Sequence, residues 1–111
     1  MNMGDIILDK IFKALADPTR VTLLSIISKV PKICLCDLQN SFTLSGSTLS
    51  RHLKDLHNVN LVEVDKIGKW KYYTITPLGY DIVKIIYQQS DKAYLQSIQN
   101  IINNLERNQS C

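Results

Sequence analysis

Leu44-Ser45-Gly46-Ser47-Thr48-Leu49-Ser50-Arg51-His52-Leu53-Lys54-Asp55-Leu56 is the stretch on which the reading of this chain turns. Ser45 is a good N-cap, because a hydroxyl there accepts from a backbone amide that the first helical turn leaves unpaired. Leu49, Leu53 and Leu56 recur at i, i+4 and i+7, so one face of the predicted helix is apolar. Ser47, Thr48, Arg51 and Lys54 fall on the opposite, polar face, while His52 goes with Leu49 on the inner side. The helix is expected to end near His57-Asn58.

Upstream, Leu38 and Phe42 predict a short helix over 36–42, with Asp37 favourable in its first turn. Asp17-Pro18 reads as an N-cap followed by proline at the first helical position. Val21, Leu24 and Ile27, with Leu23, Ile26 and Val30, give the helix that follows two apolar rows, so it should be deeply buried until Pro31 stops it. Ile7, Leu8, Ile11, Phe12 and Leu15 predict a first helix over 4–16.

Downstream the period changes. Leu61-Val62-Glu63-Val64-Asp65 and Trp70-Lys71-Tyr72-Tyr73-Thr74-Ile75 are rich in β-branched and aromatic residues and predict two strands. Between them Gly68 can supply the positive φ of a tight hairpin. Thr76-Pro77 opens a final helical stretch over 78–106, whose stripe runs through Ile82, Ile85, Ile86, Tyr94, Ile98, Ile101, Ile102 and Leu105. Ser90-Asp91 offers a second cap within it, so a break at that point is left open.

The predicted fold is therefore mainly α with a two-stranded β-hairpin, a winged helix-turn-helix in a single domain over 1–111. The helices at 4–16 and 78–106 carry more apolar surface than so small a core needs, and their expected use is the interface of a homodimer. The composition agrees, since 111 residues with 45% hydrophobic content suit one domain with a real core. No apolar run approaches the roughly 18 residues that cross a bilayer. Met1-Asn2-Met3-Gly4-Asp5 is not the basic start of a signal peptide, so no membrane partner and a cytoplasmic location are expected. The net charge of +3 says less than its distribution, for Lys66, Lys69 and Lys71 cluster at the predicted hairpin. No phosphate loop, dinucleotide fingerprint or nucleophile elbow is present, and an enzyme is not expected.

The chain has three cysteines, Cys34, Cys36 and Cys111, an odd number that describes no disulfide framework. A Cys-x-Cys pair in a reducing compartment points instead to a metal or redox site. At this point four segments resemble the ArsR/SmtB family of winged-helix metalloregulators. Phe12-Lys13-Ala14-Leu15-Ala16-Asp17-Pro18-Thr19-Arg20 resembles its opening motif, and Ile33-Cys34-Leu35-Cys36-Asp37-Leu38 its cysteine metal box. Leu44 to Lys54 resembles its recognition helix, and Gly68-Lys69-Trp70-Lys71-Tyr72-Tyr73 the second wing strand of arsenite-responsive members. The four motifs span 12–73 in the family's order. The resemblance implies a homodimeric repressor that binds double-stranded operator DNA without effector and releases it when a metal or metalloid binds.

On that reading Ser45, Ser47, Thr48, Ser50, Arg51 and Lys54 face the DNA, with Arg51 placed for guanine or phosphate. Lys66, Lys69 and Lys71 of the wing suit phosphate or the minor groove. The plainer readings are a solvated helix face and a charged hairpin that resists edge aggregation. Trp70, Tyr72 and Tyr73 read as hairpin and core packing.

Cys34 and Cys36 are the expected ligands of As(III) or Sb(III), because thiolates are soft donors; two buried structural cysteines are the plainer alternative. On an ideal helix residues two apart point about 200° apart, so binding is expected to unwind the first turn of the short helix. The fullest form of the family's arsenite box has a third cysteine where this chain has Gln39. Either Cys111 or an external thiol fills that position, or Cys111 is an unremarkable terminal residue. Two rivals remain at this level, a thiol redox-sensing repressor using the same cysteines and a dimeric interaction module without DNA binding.

Overall fold

The computed structural model describes residues 8–107. Six helices and three short strands follow one another as α1 (Leu8–Ala14), α2 (Pro18–Lys29), β1 (Ile33–Cys34), α3 (Leu35–Ser41), α4 (Gly46–Asn58), β2 (Val62–Ile67), β3 (Trp70–Ile75), α5 (Pro77–Gln89) and α6 (Lys92–Arg107). Helix α3, the turn after it and α4 form the helix-turn-helix, and β2–β3 is the wing. The part of the expected first helix before residue 8 lies outside the described residues. Among the described residues no helix is long and apolar enough to cross a membrane.

Local chemistry sets most boundaries. Asp17 caps α2 by accepting from the Thr19 amide at 2.8 Å, and this hydrogen bond is the main reason its carboxyl is held below the usual range. Ser45 caps α4 by accepting from the Thr48 amide at 3.2 Å. Helix α4 ends in a Schellman motif, with Asn60 in the left-handed region at φ 62. The Asn60 amide donates to the His57 carbonyl and the Leu61 amide to the Leu56 carbonyl, at 3.0 and 3.1 Å. In the wing turn Gly68 alone has positive φ, the pattern of a two-residue hairpin loop with glycine first.

One feature departs from the sequence reading and another settles a point it left open. The sheet has three strands in the order β1-β3-β2, not two. Ile33 pairs with Tyr73 and Cys34 with Tyr72, so the segment carrying the first cysteine is stitched to the wing. A two-residue strand whose partner lies some forty positions away leaves no periodic trace. The C-terminal helical stretch is broken, as the Ser90-Asp91 signal allowed. Asp91 accepts from the Tyr94 amide at 2.8 Å and restarts the chain as α6.

The core lies between α2 and the elements around it. Leu23, Leu24, Ile26 and Ile27 of α2 are fully buried, together with Leu38 of α3 and Leu49, Leu53 and Leu56 of α4. Helix α6 contributes Ile98, Ile102 and Leu105 to the same core. Much of its stripe is therefore covered within the protomer. The large apolar side chains left exposed include Leu8 and Phe12 of α1 and Leu78, Tyr80 and Ile85 of α5.

Candidate nucleic-acid interface and thiol site

Helix α4 presents two faces with different jobs. Leu49, Leu53 and Leu56 anchor it, while Ser45, Ser47, Arg51 and Lys54 are exposed and Thr48 and Ser50 half-buried. Ser45 and Thr48 have structural work as well, since their hydroxyls bond each other at 2.9 Å inside the cap. The wing lysines Lys66, Lys69 and Lys71 are all exposed. Lys66 and Lys71 are directly opposed across the hairpin, which concentrates positive charge on one face of the wing. Arg51, Lys54 and these three lysines take part in none of the ion pairs found among the described residues, whereas Arg20, Lys32 and Lys84 are paired. Lys69 lies over the Trp70 ring, 5.2 Å from its centroid; exposed cations outside ion pairs beside a helix-turn-helix form the kind of surface that meets phosphate.

Arg20 holds the interface in place, a role that sequence reasoning did not assign. Its guanidinium donates to the carbonyls of Ala14 and Lys13 at the end of α1, and so satisfies acceptors the helix terminus leaves open. The same group reaches Nδ1 of His52 at 3.2 Å and the carboxylate of Asp55 at 3.3 Å, both on α4. An arginine can only donate, so Nδ1 of His52 is the acceptor. One side chain thus ties α1, α2 and α4 together. Arg20→Met keeps the stem and removes these bonds; it should cost about 1–2 kcal/mol, as expected for losing several part-buried hydrogen bonds, one of them to a charged partner. An unshifted urea midpoint would dismiss this role.

Cys34 is buried at 6% exposure and has extended backbone, φ −78 and ψ 146, as the N-cap of α3. Cys36 lies in the first turn of that helix and is half-buried. The Cys34 thiol donates to the Cys36 sulfur at 3.5 Å. This corrects the expectation that a ligand must unwind the helix to be gripped by both. The 200° rule applies to two helical residues, and Cys34 stands just outside the helix, where the chain turns its side chain towards Cys36.

The two cysteines, Leu35 and Gln39 form one side of a cavity of about 250 Å³, and Lys69, Trp70 and Lys71 of the wing form the other. Burial pushes the neighbouring Tyr73 hydroxyl up, and the Cys34 sulfur adds to the effect. Among the described residues no cluster of three or more His, Cys, Asp and Glu could hold a metal ion. Cys111 lies outside the described residues. Gln39 also lies beside the start of α4, for its amide is 3.1 Å from where a side chain on Gly46 would begin. The thiol cavity, Gln39 and the first residue of α4 are therefore in series. Tyr73 is buried at 4%, as expected of a packing residue, but Trp70 is 38% exposed at the cavity.

Comparison with known proteins follows the same outline. Residues 17–64 match the family described as "Bacterial regulatory protein, arsR family". Over 102 residues the chain is 32% identical to the arsenical resistance operon repressor of Escherichia coli, a match covering 92% of this chain and 86% of that protein. It is 39% identical over 66 residues to a cadmium resistance transcriptional regulatory protein CadC homolog of Staphylococcus aureus, covering 60% of this chain and 54% of the other. Among solved structures, NolR from Sinorhizobium fredii superposes with a TM-score of 0.66 at 28% identity, over 74% of this chain and 82% of that one. HlyU from Vibrio cholerae shares the fold at 22% identity and a TM-score of 0.69, over 79% of this chain and 96% of that one.

Proposed function

Because the chain belongs to the arsR family of bacterial transcriptional regulators, we propose that it is a homodimeric repressor that binds operator DNA and releases it when As(III) or Sb(III) binds Cys34 and Cys36. The observation that carries the reading is the convergence of two sulfurs at 3.5 Å at the start of the helix that leads into α4. Two adjacent soft donors suit a thiophilic metalloid better than a hard cation. The relatives are regulators of arsenical and of cadmium resistance, which supports a soft effector.

The mechanism follows from the series of contacts. Without effector, α4 lies in the major groove with Arg51 at a base edge, and the wing lysines meet phosphates. A metalloid joining the two sulfurs occupies the cavity that Gln39 and the wing share. The Gln39 amide lies 3.1 Å from where a Cβ on Gly46 would sit, so a shift of its side chain is felt beside the first residue of α4. The ligand favours an arrangement in which helix and wing no longer fit the DNA together, and release follows from its differential affinity for the two states. For bare arsenite a third donor is required, and Cys111 or an external thiol supplies it. The exposed Leu8 and Phe12 of α1, with Leu78, Tyr80 and Ile85 of α5, supply apolar surface for the partner subunit.

The decisive experiment titrates the protein–operator complex with arsenite, antimonite, cadmium and a mild oxidant, with reductant present in the metal arms. Release by arsenite under reducing conditions but not by oxidant alone is expected. The reverse would favour the redox rival, and no operator binding by a dimeric apoprotein would favour the interaction module. A further expectation separates the two DNA elements. Arg51→Ala should cost about 1–3 kcal/mol at the operator and less on unrelated DNA, as a base-reading contact does. Lys69→Ala should weaken both alike and flatten the salt dependence. Equal effects of the two variants on all DNA would refute this division.

A further inference from the structure

The wing closes on an apolar pair. Ile67 and Trp70 are the last partners in the register before the two-residue turn Gly68-Lys69, and they share one face of the hairpin. Ile67 is 50% exposed and Trp70 38%, although Trp70 also borders the thiol cavity. A hairpin tip left in water is ordinarily polar or charged, because exposed apolar strand ends invite association. Here the charge is set around the pair. Lys66 and Lys71 adjoin it along the two strands, and Lys69 lies over the indole, 5.2 Å from the ring centroid. The nearest acid on the same face, Asp65, is engaged by Lys32 at 3.4 Å. An apolar tip ringed by three cations suits a partner that is itself apolar between two rows of anions.

Resting on the repressor reading above, we propose that Ile67 and Trp70 pack against the deoxyribose edges of the operator's minor groove, while Lys66, Lys69 and Lys71 hold the phosphates that flank it. The dimensions favour the sugars over the bases. Paired strands lie about 4.8 Å apart before side chains are counted, and the minor groove is about 6 Å wide, so the tip rides on the groove walls. Those walls are deoxyribose, the apolar part of the backbone. Strand β2 begins at Val62, soon after α4 ends at Asn58, so the wing stands beside the stretch of duplex that α4 enters. The contact adds affinity by taking indole and isoleucine surface out of water. It releases no counterion, so unlike the lysines it does not depend on salt.

The test uses the full-length protein with operator duplex. Trp70 is the only tryptophan, so its emission reports the tip without any substitution. In the operator complex the indole should become several-fold less accessible to acrylamide than in the free protein. Trp70→Thr and Ile67→Thr keep strand-forming side chains, and their melting midpoints check that the fold is retained. Each should lose about five- to tenfold in affinity, the scale expected for removing an apolar group from a nucleic-acid contact. The slope of log affinity against log salt should stay that of wild type, in contrast to Lys69→Ala, which flattens it. Trp70→Phe should keep most of the affinity. Operator binding that leaves the indole as open to acrylamide as before overturns the proposal and leaves the repressor reading intact. So does a salt slope that falls in both threonine variants as it does in Lys69→Ala. Phosphatidylglycerol vesicles form a second arm, since a tip of Trp, Ile and Lys also suits an anionic membrane surface. An emission shift with vesicles and none with operator overturns the proposal in favour of a membrane. An indole already closed to acrylamide in the free protein overturns it by showing that the partner subunit covers the tip. Failure to bind any operator duplex would overturn both readings.

Discussion

Cys34→Ser abolishes release by arsenite and leaves operator binding intact. The expectation follows from what this side chain does and does not do in the fold. Cys34 makes no side-chain capping bond to α3, although it occupies the N-cap position. Serine is a preferred N-cap, so the substitution should hold the helix at least as well. What it removes is the soft donor, 3.5 Å from the Cys36 sulfur. Cys36→Ser should behave in the same way, and operator release followed by fluorescence anisotropy reads both. Cys111→Ser then distinguishes the sources of the third donor for arsenite. If Cys111 supplies it, X-ray absorption should show the sulfur coordination falling from three towards two. If a small thiol supplies it, the variant should match wild type whenever glutathione is present. An arsenite response that survives in the Cys34→Ser/Cys36→Ser double variant would end the sensing hypothesis.

Gly79→Ala should be among the most damaging single-methyl additions to this chain. A Cβ at that position would sit 2.1 Å from the Leu61 carbonyl oxygen and 2.8 Å from Cδ1 of Ile75. The obstruction is backbone that cannot retreat. The Leu61 carbonyl accepts from the Thr76 amide at 3.2 Å; the Thr76 hydroxyl donates to the Asn60 carbonyl at 2.7 Å, with the Leu61 carbonyl 3.1 Å away, and accepts from the Gly79 amide at 2.9 Å. Leu61 is also the residue whose amide closes the Schellman motif of α4. Thr76 and Gly79 therefore join the end of the recognition helix to the start of α5, where only a hydrogen side chain fits. Overpacking against fixed backbone costs about 3 kcal/mol, a large share of the roughly 5–15 kcal/mol that holds a domain together. A drop of about 10–20 °C in the melting midpoint is expected. A midpoint shifted by less than about 2 °C would mean that the α5 corner yields more easily than its hydrogen bonds suggest.

The helices were legible because each is announced locally. Asp17-Pro18, Ser45 and Thr76-Pro77 are caps that act within a turn of themselves, and the leucines of α4 carry their burial in their spacing. The wing strands were legible for the same reason, with Gly68 marking the turn between them. That Arg51, Lys54, Lys66, Lys69 and Lys71 stand exposed on α4 and the hairpin could also be read from order alone. In contrast, the link from Arg20 to α4 and the third strand join partners between 32 and 40 positions apart, and the buried position of α6 depends on packing against several elements at once. No local pattern encodes those.

The thiol site shows the division most clearly. The sequence by itself determined that two soft donors stand two residues apart at the mouth of a short helix, and that Gln39 occupies the place of a third. It also carried an implication borrowed from ideal-helix geometry, that the two side chains point apart. Only the tertiary structure decided otherwise, because pairing of Ile33-Cys34 with the wing keeps Cys34 extended and sets the helix to begin one residue later. The same pairing brings Trp70 and its flanking lysines across from the sulfurs. Spacing along the chain reports which donors are present, whereas their convergence depends on a backbone hydrogen-bond register between segments far apart in sequence, which is set only when the sheet closes over the core.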